Sequence, residues 1–505
     1  MIKQDRFSEL VSIYSALNRN EKETISIYTK AFQNRSHKDF KEIGGLIDLI
    51  ESDPNITRLQ ATKALKIDKK PKLQQNLFIL RTKDIVLECL TLTQNIDRPG
   101  EYSNQFRNRS INQKRIEQSK IFLSRGERDI AEKLLNEVEN RAEKYELFDQ
   151  LLEAKELLKV SYATYRAYRT ISRYEAEIDH ANELNLYLHQ ARNIYSEFLF
   201  HLKREDDKIE SQQERMTKLK ELETKSRSAT IGFLRAMAEV SFLLNNEKYQ
   251  AAIELMNALV ENRLYSPPLQ SNQGVSELKT EIGKTQVMLR DFQAARISFS
   301  LADKLVKNDT YESYTNRKNL VLLDFYESNL DSLEEEIEKR ISSFYTSRVP
   351  YASAFYHFTK AIWLISKNQS AKAAEVLIAE IEAIGDTSER ERFHRNVYLF
   401  IAGCDIQESK KRTGKNYCNK ALENLSKMKK NNMTERERLI ITVFNQIKST
   451  GYDFQRFLTL NGKQLEKLES DSPSLRWTPL SDEIIPIQNW IHNQIDKRRK
   501  LNKIS

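Results

Sequence analysis

Apolar positions along this chain recur at intervals of three and four, the repeat of one helix face. Between residues 160 and 178 they are Val160, Ala163, Ala167, Ile171, Tyr174 and Ile178. That spacing predicts one helix whose small alanines invite a close neighbour. Arg166, Arg169 and Arg173 then fall together on its opposite face, beside Tyr162. Near the end of the chain, Ile487, Ile491 and Ile495 share one face of a closing helix, and Pro486 suits its first turn. Nearer the start, Leu46–Leu80 reads as helix, turn, helix, turn, helix. Thr57 and Gln60 have capping-box spacing, so a helix begins near Arg58. Ile67 and Asp68 end it, and Pro71 suits the first turn of the next.

Punctuation divides the chain. The polar stretch 93–111 carries Pro99 and Gly100 and reads as a linker between a helical module, 1–92, and a helical body, 112–470. Residues 471–505 break the pattern and close with the capping helix. From Glu127 to Ile231 there is neither glycine nor proline, which argues for long helices. The 505 residues include only 12 glycines and 9 prolines. That composition favours an all-α chain over a turn-rich β fold.

Internal repeats sharpen the picture. In "EIGKTQVMLRDFQAARISFSLADKL", residues 281–305, Ile282 and Gly283 are followed by Phe292, Ala295, Phe299 and Ala302. Weaker copies place Tyr249 and Ala252, Gly126 and Ala131, Ala374, and Ala421 at related sites, with an uneven spacing nearer 40 residues than 34. These spacings resemble the tetratricopeptide repeat. Lys279 stands where that pattern has a large aromatic, and Lys307 where it has a proline. The resemblance implies a tetratricopeptide-like solenoid with long helices. Its glycine and alanines would sit where paired helices nearly touch, and its curved surface would hold a peptide or protein partner.

Charge changes the picture at one place. The whole chain carries +9. From Arg58 to Lys83, eight basic residues oppose the single acid Asp68, a local balance of +7. With "DPNIT" and "ATKALKI" this segment resembles a helix-turn-helix of the winged-helix type, which implies contact with nucleic acid. The same segment also reads as a small helical cap kept soluble by its lysines. Arg166, Arg169 and Arg173 likewise read as a solvated basic face, or as a contact for phosphate or an acidic peptide.

Motifs that carry chemistry are missing from the sequence. Seven scattered histidines and three cysteines, Cys89, Cys404 and Cys418, form no metal-ligand spacing. No phosphate-cradling glycine loop and no nucleophile elbow occurs, and "IGG" at Ile43 to Gly45 is too short for a cradle. Neither an enzyme nor a cofactor is expected. The opening "MIKQDRFSEL" lacks a signal core, and no run approaches the roughly 18 apolar residues of a membrane span. A cytoplasmic location is the expectation. The expected role is a non-catalytic scaffold binding a protein or peptide. The alternative is a nucleic-acid-binding regulator using the first module. The candidate contact residues are Lys69, Lys70, Lys72, Arg166, Arg169 and Arg173.

Overall fold

A computed structural model describes the chain except residues 1–5, 16, 18, 34–37, 54–55, 94–102, 164–167, 203–208, 307–309, 332, 343–349, 385–388, 408–409, 430–431, 473 and 505. Among the described residues it forms 23 α-helices and no strand. None of these helices is long and apolar enough to cross a membrane. Two compact units result, Met1–Pro99 and Gly100–Ser505.

The first unit holds α1 (Arg6–Ser15), α2 (Arg19–Gln33), α3 (Lys38–Ser52), α4 (Arg58–Ala64) and α5 (Lys72–Thr93). Ile43, Leu46, Ile47 and Ile50 form the inward stripe of α3, packed with Phe7, Leu10, Ile79 and Val86. The expected capping box is present. The Thr57 backbone N–H donates to Gln60 Oε1 at 2.8 Å, and Thr57 Oγ1 accepts from the Gln60 N–H. Helix α4 ends earlier than the periodicity suggested. Lys66 takes a left-handed conformation, φ 55°, and Ile67 is buried behind it. Pro71 stands just before α5, and its carbonyl accepts the Gln75 N–H at 3.1 Å.

The second unit packs its helices mainly on their sequence neighbours. They are α6 (Asn104–Ser124), α7 (Arg128–Lys144), α8 (Phe148–Ala163), α9 (Tyr168–Leu202), α10 (Ile209–Ser226), α11 (Ala229–Asn245) and α12 (Tyr249–Tyr265). There follow α13 (Asn272–Met288), α14 (Phe292–Lys304), α15 (Tyr311–Tyr326), α16 (Leu333–Ile341), α17 (Pro350–Ser366) and α18 (Ser370–Ile384). The last are α19 (Glu389–Gln407), α20 (Lys411–Ser426), α21 (Glu435–Ser449), α22 (Phe454–Leu468) and α23 (Ile487–Ile504). Helix α6 thus begins within the stretch read as a linker. The predicted stripe Ile487, Ile491 and Ile495 of α23 is buried.

One turn recurs. At Gly126, Glu146, Glu247, Arg290, Ser328, Asn368 and Gly451 the backbone is left-handed, φ 52° to 80°. Each time, the next residue's N–H reaches back to the carbonyl five residues earlier. Examples are Glu127 to Phe122 at 3.0 Å, Lys248 to Leu243 at 2.8 Å and Asp291 to Gln286 at 2.9 Å. This is the Schellman closure, which satisfies orphan carbonyls and stops a helix sharply. Only two of the seven sites are glycine.

The others store backbone strain of about 1 kcal/mol each. Arg290→Gly is therefore expected to stabilise the unit by about 1 kcal/mol. Glu146→Gly should do the opposite. The Glu146 carboxylate caps α11, accepting from the Ala229 N–H at 2.7 Å, the Thr230 N–H at 2.9 Å and the Ser228 hydroxyl at 2.7 Å. Losing that cap costs about 1–2 kcal/mol, more than the strain relieved. Urea denaturation of the two variants reads the opposite signs.

The glycine-free stretch is interrupted between Ala163 and Tyr168. Residues 160–178 are not one helix. Helix α8 ends at Ala163, α9 starts at Tyr168, and the two pack antiparallel. Lys155 Nζ meets Glu177 at 2.9 Å, Lys159 Nζ meets Glu175 at 2.9 Å, and the rings of Tyr162 and Tyr174 lie 5.3 Å apart. Val160, expected inside, is 66% exposed, and Tyr162, expected outside, is buried. A periodic stripe read across a chain reversal assigns the faces wrongly.

The repeat-like stretch behaves as expected in its packing. Ala295, Phe299 and Ala302 are fully buried, and a Cβ on Gly283 would stand 2.7 Å from the Phe299 ring. Ala131, Ala252, Ala374 and Ala421 are likewise fully buried, on α7, α12, α18 and α20. Helix α19 is enclosed all round, from Phe393 to Cys404. From Val397 to Cys404 its circumference is apolar or small, as suits a central helix, while His394, Arg395 and Asn396 are buried polar groups in its first turns.

Candidate functional site

The most developed arrangement of polar groups lies where the chain after α22 meets the first helices of the preceding hairpins, α15, α19 and α21. Ser470–Ile485 contains no helix among its described residues. Its backbone is captured by side chains. Tyr326 Oη accepts the Leu480 N–H at 2.7 Å, and Tyr398 Oη accepts the Ile485 N–H at 2.8 Å. Burial holds both phenols well above their ordinary pKa range, so they act as neutral hydrogen-bonding groups.

The Glu483 carboxylate is gripped by Arg436 through two bonds of 2.7 Å, and both side chains are more than nine-tenths buried. Arg436 also donates to the carbonyls of Leu468 and Leu475 and to Gln488 Oε1. A guanidinium fork suits this role, because its several donors lie in one plane. Glu483 Oε1 in turn accepts the Ile487 N–H at the start of α23. Trp477 packs edge-on against Tyr326, and its Nε1 donates to the Glu483 carbonyl at 2.7 Å. Buried His394 lies 3.7 Å from Glu437, and burial pushes its pKa down, so it is neutral near neutral pH.

Beside this segment opens a cleft of about 550 Å3. Tyr249, Met288 and Arg290 line one side, and Arg476, Trp477 and His492 the other. Apolar rings and both signs of charge meet there. Of these residues only Tyr249 stands out in the sequence, and there as a repeat position rather than a site residue. Arg436 and Glu483 are 47 positions apart, and no local pattern joins them.

The first unit carries the predicted basic segment. Lys69, Lys70 and Lys72 are all exposed. Lys70 is engaged with Glu42 at 3.0 Å, and Lys83 with Glu9 at 2.9 Å. Arg58 donates to Asn76 Oδ1 at 2.7 Å, tying α4 to α5. Lys63, Lys66, Lys69 and Lys72 recur every third residue, exposed, with Leu59, Leu73 and Leu77 exposed among them. Of the other predicted contacts, Arg166 and the side chain of Arg169 lie outside the described residues. Arg173 is exposed and pairs with Glu177 at 2.7 Å, as a solvated helix face does.

Among the described residues no cluster of three or more metal-ligating side chains occurs. Comparison with protein-family models and with curated proteins gives no match.

Proposed function

We propose that this chain is a non-catalytic, tetratricopeptide-like scaffold whose second unit holds an extended peptide of a protein partner along the first helices of its hairpins. The observation that carries the reading is the chain's own segment from Arg476 to Ile485. Tyrosine hydroxyls hold its backbone amides and a buried arginine fork takes its acidic side chain. Hydrogen bonds to main-chain groups give affinity for any extended chain, and neighbouring pockets add selectivity. The cleft beside Trp477 offers a second chain the Tyr249 phenol, the Trp477 ring and the guanidinium groups of Arg290 and Arg476. A benzophenone amino acid at Met288, inside the cleft, should cross-link a discrete protein from a lysate of the source organism. The same group at Ile297, exposed on α14, should not. Equal labelling from both positions, or none from Met288, rules out the cleft as the docking place.

The evenly spaced lysines favour a second reading, in which the first unit touches nucleic acid. Lys69, Lys70 and Lys72 changed together to glutamate should then abolish duplex DNA binding at about 150 mM salt. Each phosphate that a variant no longer neutralises should lower the salt slope by about 1. The Lys70 change should matter least, since that lysine already pairs with Glu42. A parent protein that binds no duplex DNA even at low salt leaves the segment as a cap.

A further inference from the structure

We propose that Cys404 and Cys418 form an oxidation site that closes to an intramolecular disulfide and cross-links α19 to α20. The two Sγ atoms are 3.8 Å apart, and both side chains are buried. They stand 14 residues apart in sequence, on two helices that pack side by side.

The backbones at this crossing approach unusually closely, and two glycines allow it. A Cβ on Gly403 would stand 2.7 Å from Cys418 Sγ, and one on Gly414 would stand 2.5 Å from the Gly403 carbonyl oxygen. Disulfides need such proximity, with Cα atoms about 4.4–6.8 Å apart. Cys418 Sγ is also oriented. The Gln407 amide donates to it at 3.4 Å, and it lies 3.6 Å from the Phe400 carbonyl.

An isolated core thiol acts as a small inert hydrophobe. Two thiols side by side, outside any metal-ligating cluster of three among the described residues, make a dithiol rather than a zinc site. Cys89, buried in the first unit, supplies an internal comparison.

The oxidant is a peroxide. Cys404, the less completely covered of the pair, attacks one peroxide oxygen as its thiolate. The O–O bond breaks, water leaves and a sulfenic acid forms. Cys418 sulfur then attacks the Cys404 sulfur. The S–O bond breaks, the S–S bond forms and a second water leaves. Two thiol hydrogens and two electrons pass to one hydrogen peroxide, which becomes two waters. A disulfide oxidant such as oxidised glutathione reaches the same product through a mixed disulfide and releases two thiols. Because the pair is buried, the rate follows local opening of α20 over α19.

The first test uses the full-length protein without substitution. Native protein is exposed to hydrogen peroxide, remaining thiols are alkylated, and the digest is read by mass spectrometry. The expected product is one cross-linked pair containing Cys404 and Cys418, lighter than the dithiol by two hydrogens and restored by dithiothreitol. Cys89 should stay alkylatable. Mild urea should accelerate closure, and the oxidised protein should unfold at higher urea than the reduced one. Three results overturn the proposal: both thiols recovered in alkylated form, oxidation to sulfinic or sulfonic acid without cross-linking, or a cross-link to Cys89. A Cys418→Ser variant distinguishes the steps, since it should accumulate the Cys404 sulfenic acid. Absence of a sulfenic acid that a dimedone-type probe can trap would overturn first attack by Cys404.

Discussion

Replacing Arg436 by methionine is expected to destabilise the second unit by about 3–5 kcal/mol, the usual cost of leaving a buried charge without its partner. The stranded group is Glu483, about 5% exposed. Its carboxylate would keep the Ile487 N–H and lose both guanidinium bonds. The Leu468 and Leu475 carbonyls would lose a donor as well. Glu483→Leu alone should be costly too, since it strands the arginine. The pair Arg436→Met with Glu483→Leu should recover much of the loss, because apolar replacement of a whole buried ion pair is often neutral. A double-mutant cycle from urea midpoints measures that coupling. Limited proteolysis gives a local readout. In the single variants, cleavage at Arg476 should precede global unfolding. If both single variants unfold at the parent's midpoint, the segment is not anchored through this pair and the proposed peptide-binding role loses its main support.

Much of the architecture was legible because several devices are local. The capping box at Thr57 needs only residues three apart, and the Ile487, Ile491 and Ile495 stripe needs only helical spacing. The hairpin around Gly283 and Phe299 was legible because a glycine and an aromatic at fixed offsets imply a close helix crossing. The turns were harder. Five of the seven Schellman sites in the second unit use Glu, Arg, Ser or Asn in a left-handed conformation. A search for glycine misses these, and apolar spacing alone runs one helix straight through the reversal after Ala163. Tertiary partners were hidden for a different reason. Arg436 with Glu483, Tyr398 with Ile485 and Cys404 with Cys418 are joined only by how the hairpins stack. The central position of α19 follows from elements packed on every side of it, which no window of its own sequence contains.

The stacking itself has a sharp test at Gly283 and Phe299. Gly283→Ala should destabilise the parent by about 1–3 kcal/mol, because the new methyl would stand 2.7 Å from a fully buried ring that has nowhere to move. Helix propensity alone predicts the reverse, a gain of about 1 kcal/mol for alanine over glycine inside a helix. Phe299→Ala should cost about 3–5 kcal/mol through the cavity left among Val287, Ala295 and Leu323. In that background the clash is gone. Gly283→Ala should then change sign and stabilise by about 1 kcal/mol, propensity now deciding the outcome. Urea denaturation of the four proteins measures the cycle, and Lys304→Ala, exposed on the same α14, controls for non-specific effects. A Gly283→Ala effect of the same sign and size in both backgrounds would mean that α13 and α14 do not meet at this pair, and the close-packed hairpin that the repeat pattern predicts would fall with it.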